Sequence, residues 1–200
     1  MSEKRTFGLI YKHAWLYQLA MRALYRSHYK KKYQLVAEQI PDGASVVDLC
    51  CGDCQIYPIL KRKGCDYIGL DINPSFVEWG RNKGIDVRQW DVEAMEIPEA
   101  DVICIQSALY HFIPQEKKLL ERMLSRARTR VIISEPVDNW TQIALKPLHR
   151  IAIMLTQVGG KSFAKRHNEE SLAALLKDIP AHRISRVRIP RELIIVIKKT

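Results

Sequence analysis

Three carboxylates and one run of small residues carry the chemistry that this chain can do. Asp48-Leu49-Cys50-Cys51-Gly52-Asp53-Cys54 is a tight turn leading into a helix. Gly52 lets a ligand approach the backbone where a Cβ would collide. Asp71 follows Gly52 by about 20 residues, the spacing at which a carboxylate accepts hydrogen bonds from both hydroxyls of a ribose. Trp90-Asp91-Val92 supplies a third carboxylate, able to accept from an exocyclic amine such as that of adenine. Further on, Tyr110 and His111 stand where a side chain could take a proton from a substrate oxygen or nitrogen.

These groups need elements to hold them. Apolar, β-branched runs predict strands at Ala44–Leu49, Asp66–Leu70, Ile85–Gln89, Asp101–Gln106 and Arg130–Ser134. Helices are expected between them. Gln55–Lys63 has Asp53 as its cap, and Asn73-Pro74 starts a second that runs to about Asn82. Pro114–Arg126 is a third; a fourth is capped at Asn168-Glu169-Glu170 and ended by Pro180. His182–Ile189 and Glu192–Lys198, joined at Pro190-Arg191, suit an antiparallel hairpin. Strands alternating with helices give a parallel sheet covered on both faces, with ligands beyond the carboxyl ends of its strands. All three acids fall at such ends. Before the first strand, Phe7, Tyr11, Trp15 and Leu19 repeat at helical spacing.

Three acidic loop residues after three successive strands make the chain resemble the class I S-adenosylmethionine-dependent methyltransferases, in their small-molecule and lipid branch. The resemblance covers residues 42–200. The family's first motif is an acid followed by Gly-x-Gly-x-Gly. Asp48 matches the acid and Gly52 the middle glycine, while Cys50 and Cys54 replace the outer two. The resemblance implies S-adenosyl-L-methionine as cofactor. It places Asp71, with Ile72 beside it, at the ribose, Asp91 at the adenine amine and the Val92 backbone at the adenine. Gln106 and Ser107 border the methionine moiety, and Tyr110 and His111 face the acceptor. Methyl transfer from a sulfonium needs mainly in-line positioning, so no catalytic base is assigned. The expected fold is a Rossmann-like, mostly parallel seven-stranded sheet, order 3-2-1-4-5-7-6, with only the seventh strand antiparallel. Residues 1–41 form an N-terminal helical cap on the methyltransferase domain of 42–200, within which 137–167 is a substrate-covering insertion.

Other chemistries fit less well. A dinucleotide site needs Gly-x-Gly-x-x-Gly, and Gln55 stands at its third glycine. Cys51-Gly52-Asp53-Cys54 opening a helix looks like a thioredoxin redox loop. However, the proline that such a fold sets against its cysteines is missing after Ile85–Gln89. Cys50, Cys51, Cys54 and Cys65 offer four sulfurs, but neighbouring residues at a strand end point to opposite faces, so no metal is expected. No Asp/Asn-Pro-Pro-aromatic run follows the fourth strand, which counts against nucleic acid as substrate. A non-catalytic nucleotide-binding or membrane-surface module on the same fold is the alternative function.

The 200 residues are enough for one domain with a small appendage, and 47% hydrophobic against 27% charged residues is a globular balance. Five cysteines suit free thiols in a reducing compartment, and no apolar run spans a membrane, so a cytoplasmic protein is expected. The net charge of +10 is uneven. Residues 1–41 and 137–200 are basic, and 42–136 is mildly acidic. Within the second basic stretch, Ala144, Leu148, Ile151, Leu155 and Val158 share one helical face, with Lys146, His149 and Arg150 near it. Basic flanks around the acceptor site favour a small-molecule or lipid-like, acidic acceptor. Lys30, Lys31, Lys32 and Arg150 are candidates for contact with an anionic membrane.

Overall fold

The structure, a computed structural model, describes residues 28–137, 166–177, 179, 183–189 and 191–199. The aromatic repeat before residue 28, the amphipathic stretch 144–158, Pro180, His182 and Pro190 lie outside the described residues.

Seven strands form one sheet: β1 (Ser45–Leu49), β2 (Asp66–Asp71), β3 (Val87–Gln89), β4 (Ala100–Gln106), β5 (Ala127–Pro136), β6 (Arg183–Ile189) and β7 (Glu192–Lys198). Their order is β3-β2-β1-β4-β5-β7-β6. The pairs among β1 to β5 are parallel, and β7 runs antiparallel to both β5 and β6. This is the predicted topology. Among the described residues five α-helices flank the sheet: α1 (His28–Glu38), α2 (Tyr57–Arg62), α3 (Pro74–Arg81), α4 (Glu116–Arg126) and α5 (Glu169–Lys177).

Alternation along each strand builds two cores. Val47, Leu49, Ile103, Ile105, Val131 and Ile133 face one side, against Leu119, Leu120 and Met123 of α4 and Leu172 and Leu176 of α5. Val46, Val102, Cys104 and Ile132 face the other, against Val36 and Ala37 of α1, Leu60 of α2 and Val77 of α3. Buried on both faces, β4 reads ADVICIQ, the near-continuous apolar run expected of a parallel strand between two helix layers.

Several boundaries differ from the sequence-based expectation. Asn73 does cap α3, accepting from the Ser75 N–H, and Asn168 accepts from the Ser171 N–H ahead of α5. Asp53 caps nothing. Cys54 turns left-handed at φ 55°, so the chain enters α2 only after Ile56, and the Asp53 carboxylate accepts from the Gln55 amide instead. Pro114 lies outside α4, which follows a short 3-10 turn at Leu109–Phe112. β5 is twice the predicted length: pairing with β7 carries it on to Pro136, and pairing with β4 takes it back to Ala127.

Lys32 is also corrected. Its ammonium is buried, 2.8 Å from Glu192 Oε1, and donates to Ser107 Oγ at 2.7 Å. Ser134 Oγ donates to the other Glu192 oxygen. This cluster pins α1 to the start of β7, so Lys32 is unavailable to a membrane surface. Lys30 and Lys31 are exposed.

Candidate functional site

The loop after β1 turns left-handed at every second residue: φ is 54° at Cys50, 53° at Gly52 and 55° at Cys54. These are the three glycine positions of the motif. An L-residue in this region costs about 1–2 kcal/mol, so the two cysteines hold a glycine backbone at some strain. Their side chains explain part of the tolerance. Cys50 packs into the α4/α5 core; Cys51 and Cys54 pack into the α1–α3 core. The opposite pointing of Cys50 and Cys51 is as expected.

Two carboxylates brace the loop. Asp48, 2% exposed, accepts from Tyr67 Oη at 2.9 Å, from the Cys104 thiol at 3.3 Å and from the Gln106 amide at 3.4 Å. Asp71, the last residue of β2, accepts the Gly52 N–H and the Asn73 N–H, both at 2.8 Å. Burial lifts both carboxyls to about 6, against the hydrogen bonds that favour their ionised forms. Oδ2 accepts from the loop and Oδ1 from Asn73 just past β2, and each oxygen keeps a further acceptor site.

An open cleft lies over this loop, lined by Tyr33, Asp48, Cys50, Cys51, Gly52, Asp53, Gln55, Gln106 and Ser107. Of the predicted site residues, Asp48, Cys50, Gly52, Gln106 and Ser107 share this lining. Asp71 joins it through Gly52. Asp91 and Val92 stand one strand further out, beyond β3, where the Trp90 N–H bonds back to the Asp71 carbonyl. The Asp91 carboxylate accepts the Glu93 N–H, and the Val92 side chain is core. Ile72 carries the carbonyl that the Gln89 amide reaches. Tyr110 and His111 sit on the 3-10 turn past β4, their ring centroids 4.0 Å apart. Burial, with the charge of Arg166, pushes His111 down to about 3, leaving it neutral.

Sequence reasoning missed Tyr33, which α1 brings to the cleft, and Tyr67, which holds Asp48. Tyr67 had a usable signal: it pairs in register with Val46, on the same face as Asp48. Lys32 and Glu192, 160 positions apart, had none.

Residues 46–130 match a family model described as a methyltransferase domain. That stretch, from β1 into β5, is similar to a methyltransferase domain. Solved methyltransferases share its fold. Magnesium protoporphyrin IX methyltransferase from Synechocystis, solved with S-adenosylhomocysteine, is 17% identical with a TM-score of 0.63, over 88% of this chain and 85% of its own. A SAM-dependent methyltransferase from Archaeoglobus fulgidus is 16% identical at a TM-score of 0.68, over 92% of this chain and 99% of its own. An O-methyltransferase family protein from Burkholderia thailandensis is 16% identical at a TM-score of 0.71, over 100% of this chain and 65% of its own. No curated protein sequence matches. Among the described residues no helix of this methyltransferase is long and apolar enough to cross a membrane, and no cluster of three metal-ligating side chains occurs.

The residues present fit S-adenosylmethionine. A Cβ on Gly52 would meet no protein atom within 4 Å, so the space above it is open to a ligand. Gln106, in the same wall, has a buried amide oxygen without a partner, an acceptor waiting for a donor.

Proposed function

We propose that this methyltransferase transfers the methyl group of S-adenosylmethionine to a small-molecule or lipid-like, acidic acceptor. The observation that carries the reading is the alternating left-handed loop 50–54 latched to Asp71 through the Gly52 N–H, at the floor of an open cleft. When bound, the cofactor supplies an electrophilic methyl group on a sulfonium. The chain's own residues then have positioning roles. Asp71, with Ile72 beside it, takes the ribose hydroxyls on the two acceptor sites that the loop leaves it. Asp91 takes the adenine amine and the Val92 backbone the adenine edge. Gly52 and Cys50 form the floor; Asp48, through Gln106, and Ser107 border the methionine end. Tyr110 and His111 lie on the acceptor side. With no charge on its ring, His111 has a positioning role, orienting an acceptor by hydrogen bonding.

The basic composition of residues 1–41 and 137–200 supports an acidic acceptor. Exposed Lys30 and Lys31 also support peripheral contact with an anionic membrane. The test is calorimetry with S-adenosylhomocysteine, together with mass spectrometry of whatever co-purifies. Saturable one-to-one binding is expected, and a protein that binds neither S-adenosylmethionine nor its product refutes the reading. Binding with no turnover across a broad acceptor screen would favour the non-catalytic module.

A further inference from the structure

The residues past β4 hold a cation that the cofactor site does not use. Arg166, just ahead of α5, stacks its guanidinium carbon 3.7 Å from the ring centroid of Tyr110. Tyr110 is buried, whereas Arg166 is exposed. Stacking fixes the plane of a guanidinium and leaves the N–H groups along its edges free to donate. An aromatic face attracts a cation without neutralising it. No ion pair of Arg166 occurs among the described residues.

The carboxyl best placed to neutralise that charge does not do so. Glu135, near the end of β5, is fully buried. Its Oε2 accepts the Leu109 N–H at 3.1 Å, and its Oε1 has no partner. Burial lifts its carboxyl to about 8, even with the opposing charge of Arg166 nearby. At neutral pH it is mostly the acid, carrying an O–H rather than a negative charge. His111, next to Tyr110, is neutral as well. The patch therefore presents one cation, held flat, in front of a deep polar group that is still short of a partner.

Its place decides what it meets. Tyr110 lies three residues past Ser107, in the cleft wall, and the Leu109–Glu135 bond ties this turn to β5. The patch is thus on the β4–β5 side of the cleft, away from Asp71 at the end of β2 and Asp91 beyond β3. If the cofactor lies as proposed, this is where the acceptor enters. We infer that Arg166, stacked on Tyr110, is the seat of an oxyanion, carboxylate or phosphate, carried by the methyl acceptor. A planar guanidinium matches either group with two parallel N–H bonds, which a lysine cannot do. A cationic acceptor would be repelled here, and a neutral one would gain nothing from the charge.

This inference deepens the proposed acceptor class and rests on it, so its test does not depend on turnover. The full-length protein, with and without S-adenosylhomocysteine, is titrated with phenyl phosphate, benzoate and neutral benzyl alcohol. The readout is the Arg166 Nε–H signal in nitrogen-15 NMR, assigned by its loss in Arg166→Gln. Phenyl phosphate and benzoate should shift it saturably at millimolar concentrations, and benzyl alcohol should not. Arg166→Gln should weaken phenyl phosphate binding about tenfold or more. Arg166→Lys should fall between, keeping the charge and losing the fork. No shift, an equal response to benzyl alcohol, or unchanged phenyl phosphate affinity in both variants would overturn the inference. Failure to bind S-adenosylhomocysteine would instead undo the cofactor reading, and the titration of the ligand-free protein would still report on Arg166.

Discussion

Asp71 does two jobs with one carboxylate, which makes its protonation measurable. Its charged form braces Gly52 and Asn73 and, in the proposed function, accepts from a ribose. Burial has moved it up to about 6, so the protein should lose affinity for S-adenosylhomocysteine as pH falls through that value. The limit is about tenfold per pH unit. Asp71→Asn should bind about tenfold more weakly at neutral pH and show a flattened profile, since each charge-assisted bond contributes about 1.5–3 kcal/mol. Calorimetry from pH 5 to 8 decides it, and a wild-type profile that is flat there removes Asp71 from the binding site. The same loop shows what residue types alone can and cannot convey. Gly52 was legible as a close-approach position. That Cys50 and Cys54 share its left-handed backbone was legible only through the motif, because cysteine has no propensity for positive φ. Cys50→Gly relieves strain at the expense of some packing and should stay within about 1 kcal/mol of wild type, whereas Cys50→Val sets a β-branched residue at an outlier φ and should cost more. Cys51 and Cys54 have their sulfurs 3.7 Å apart as free thiols. They have packing roles here, so Cys51→Ser with Cys54→Ser should leave cofactor affinity nearly unchanged. Insulin reduction by the wild type, lost in the double variant, would reveal a redox role instead.

Elements were legible wherever one physical signal dominated. The strand order followed from alternation and the closing hairpin, because buried strands such as β4 and β7 are almost wholly apolar. The start of α2 was not legible. Asp53 has the chemistry of a cap, but a left-handed residue follows it, and backbone geometry prevailed over side-chain preference. The link between α1 and β7 was invisible for a different reason: a lysine in a basic run looks solvated until its partner is known. That link now carries a prediction. Lys32 and Glu192 have 4% and 1% of their side chains exposed, and removing one partner of a buried pair leaves an uncompensated charge at a cost of about 3–5 kcal/mol. Lys32→Met should lower stability by that order in urea denaturation. Lys32→Met with Glu192→Leu should recover much of the loss, since apolar replacement of both partners is often neutral. A single variant as stable as wild type would mean that the pair is open to water in solution.

At the scale of the whole molecule the question is what the charge of +10 does. Ion pairs leave that net value unchanged but occupy some of the cations, Lys32 in the interior and Arg126 and Arg128 at the surface. Lys32 neutralises Glu192, Arg128 pairs with Asp101, and Arg126 with Glu96 and Glu99. The basic residues that face solvent in the described part of the N-terminal flank are Lys30 and Lys31, with Glu38 exposed on the same helix. Each basic residue near an anionic leaflet contributes about 1 kcal/mol, so two give roughly 2 kcal/mol, a factor of about 30 in the partition constant. That is enough to be seen when screening is weak. It is too little to hold the protein once the Debye length shrinks to about 8 Å at physiological ionic strength. The methyltransferase should therefore co-sediment with phosphatidylserine-containing vesicles at low salt, leave them at physiological salt, and ignore phosphatidylcholine vesicles throughout. Lys30→Glu with Lys31→Glu should abolish the low-salt binding. Retention on anionic vesicles at high salt, or binding to neutral ones, would point to an apolar contact that these lysines do not explain. No binding at any salt would assign the remaining positive charge to solubility and to the acceptor seat at Arg166.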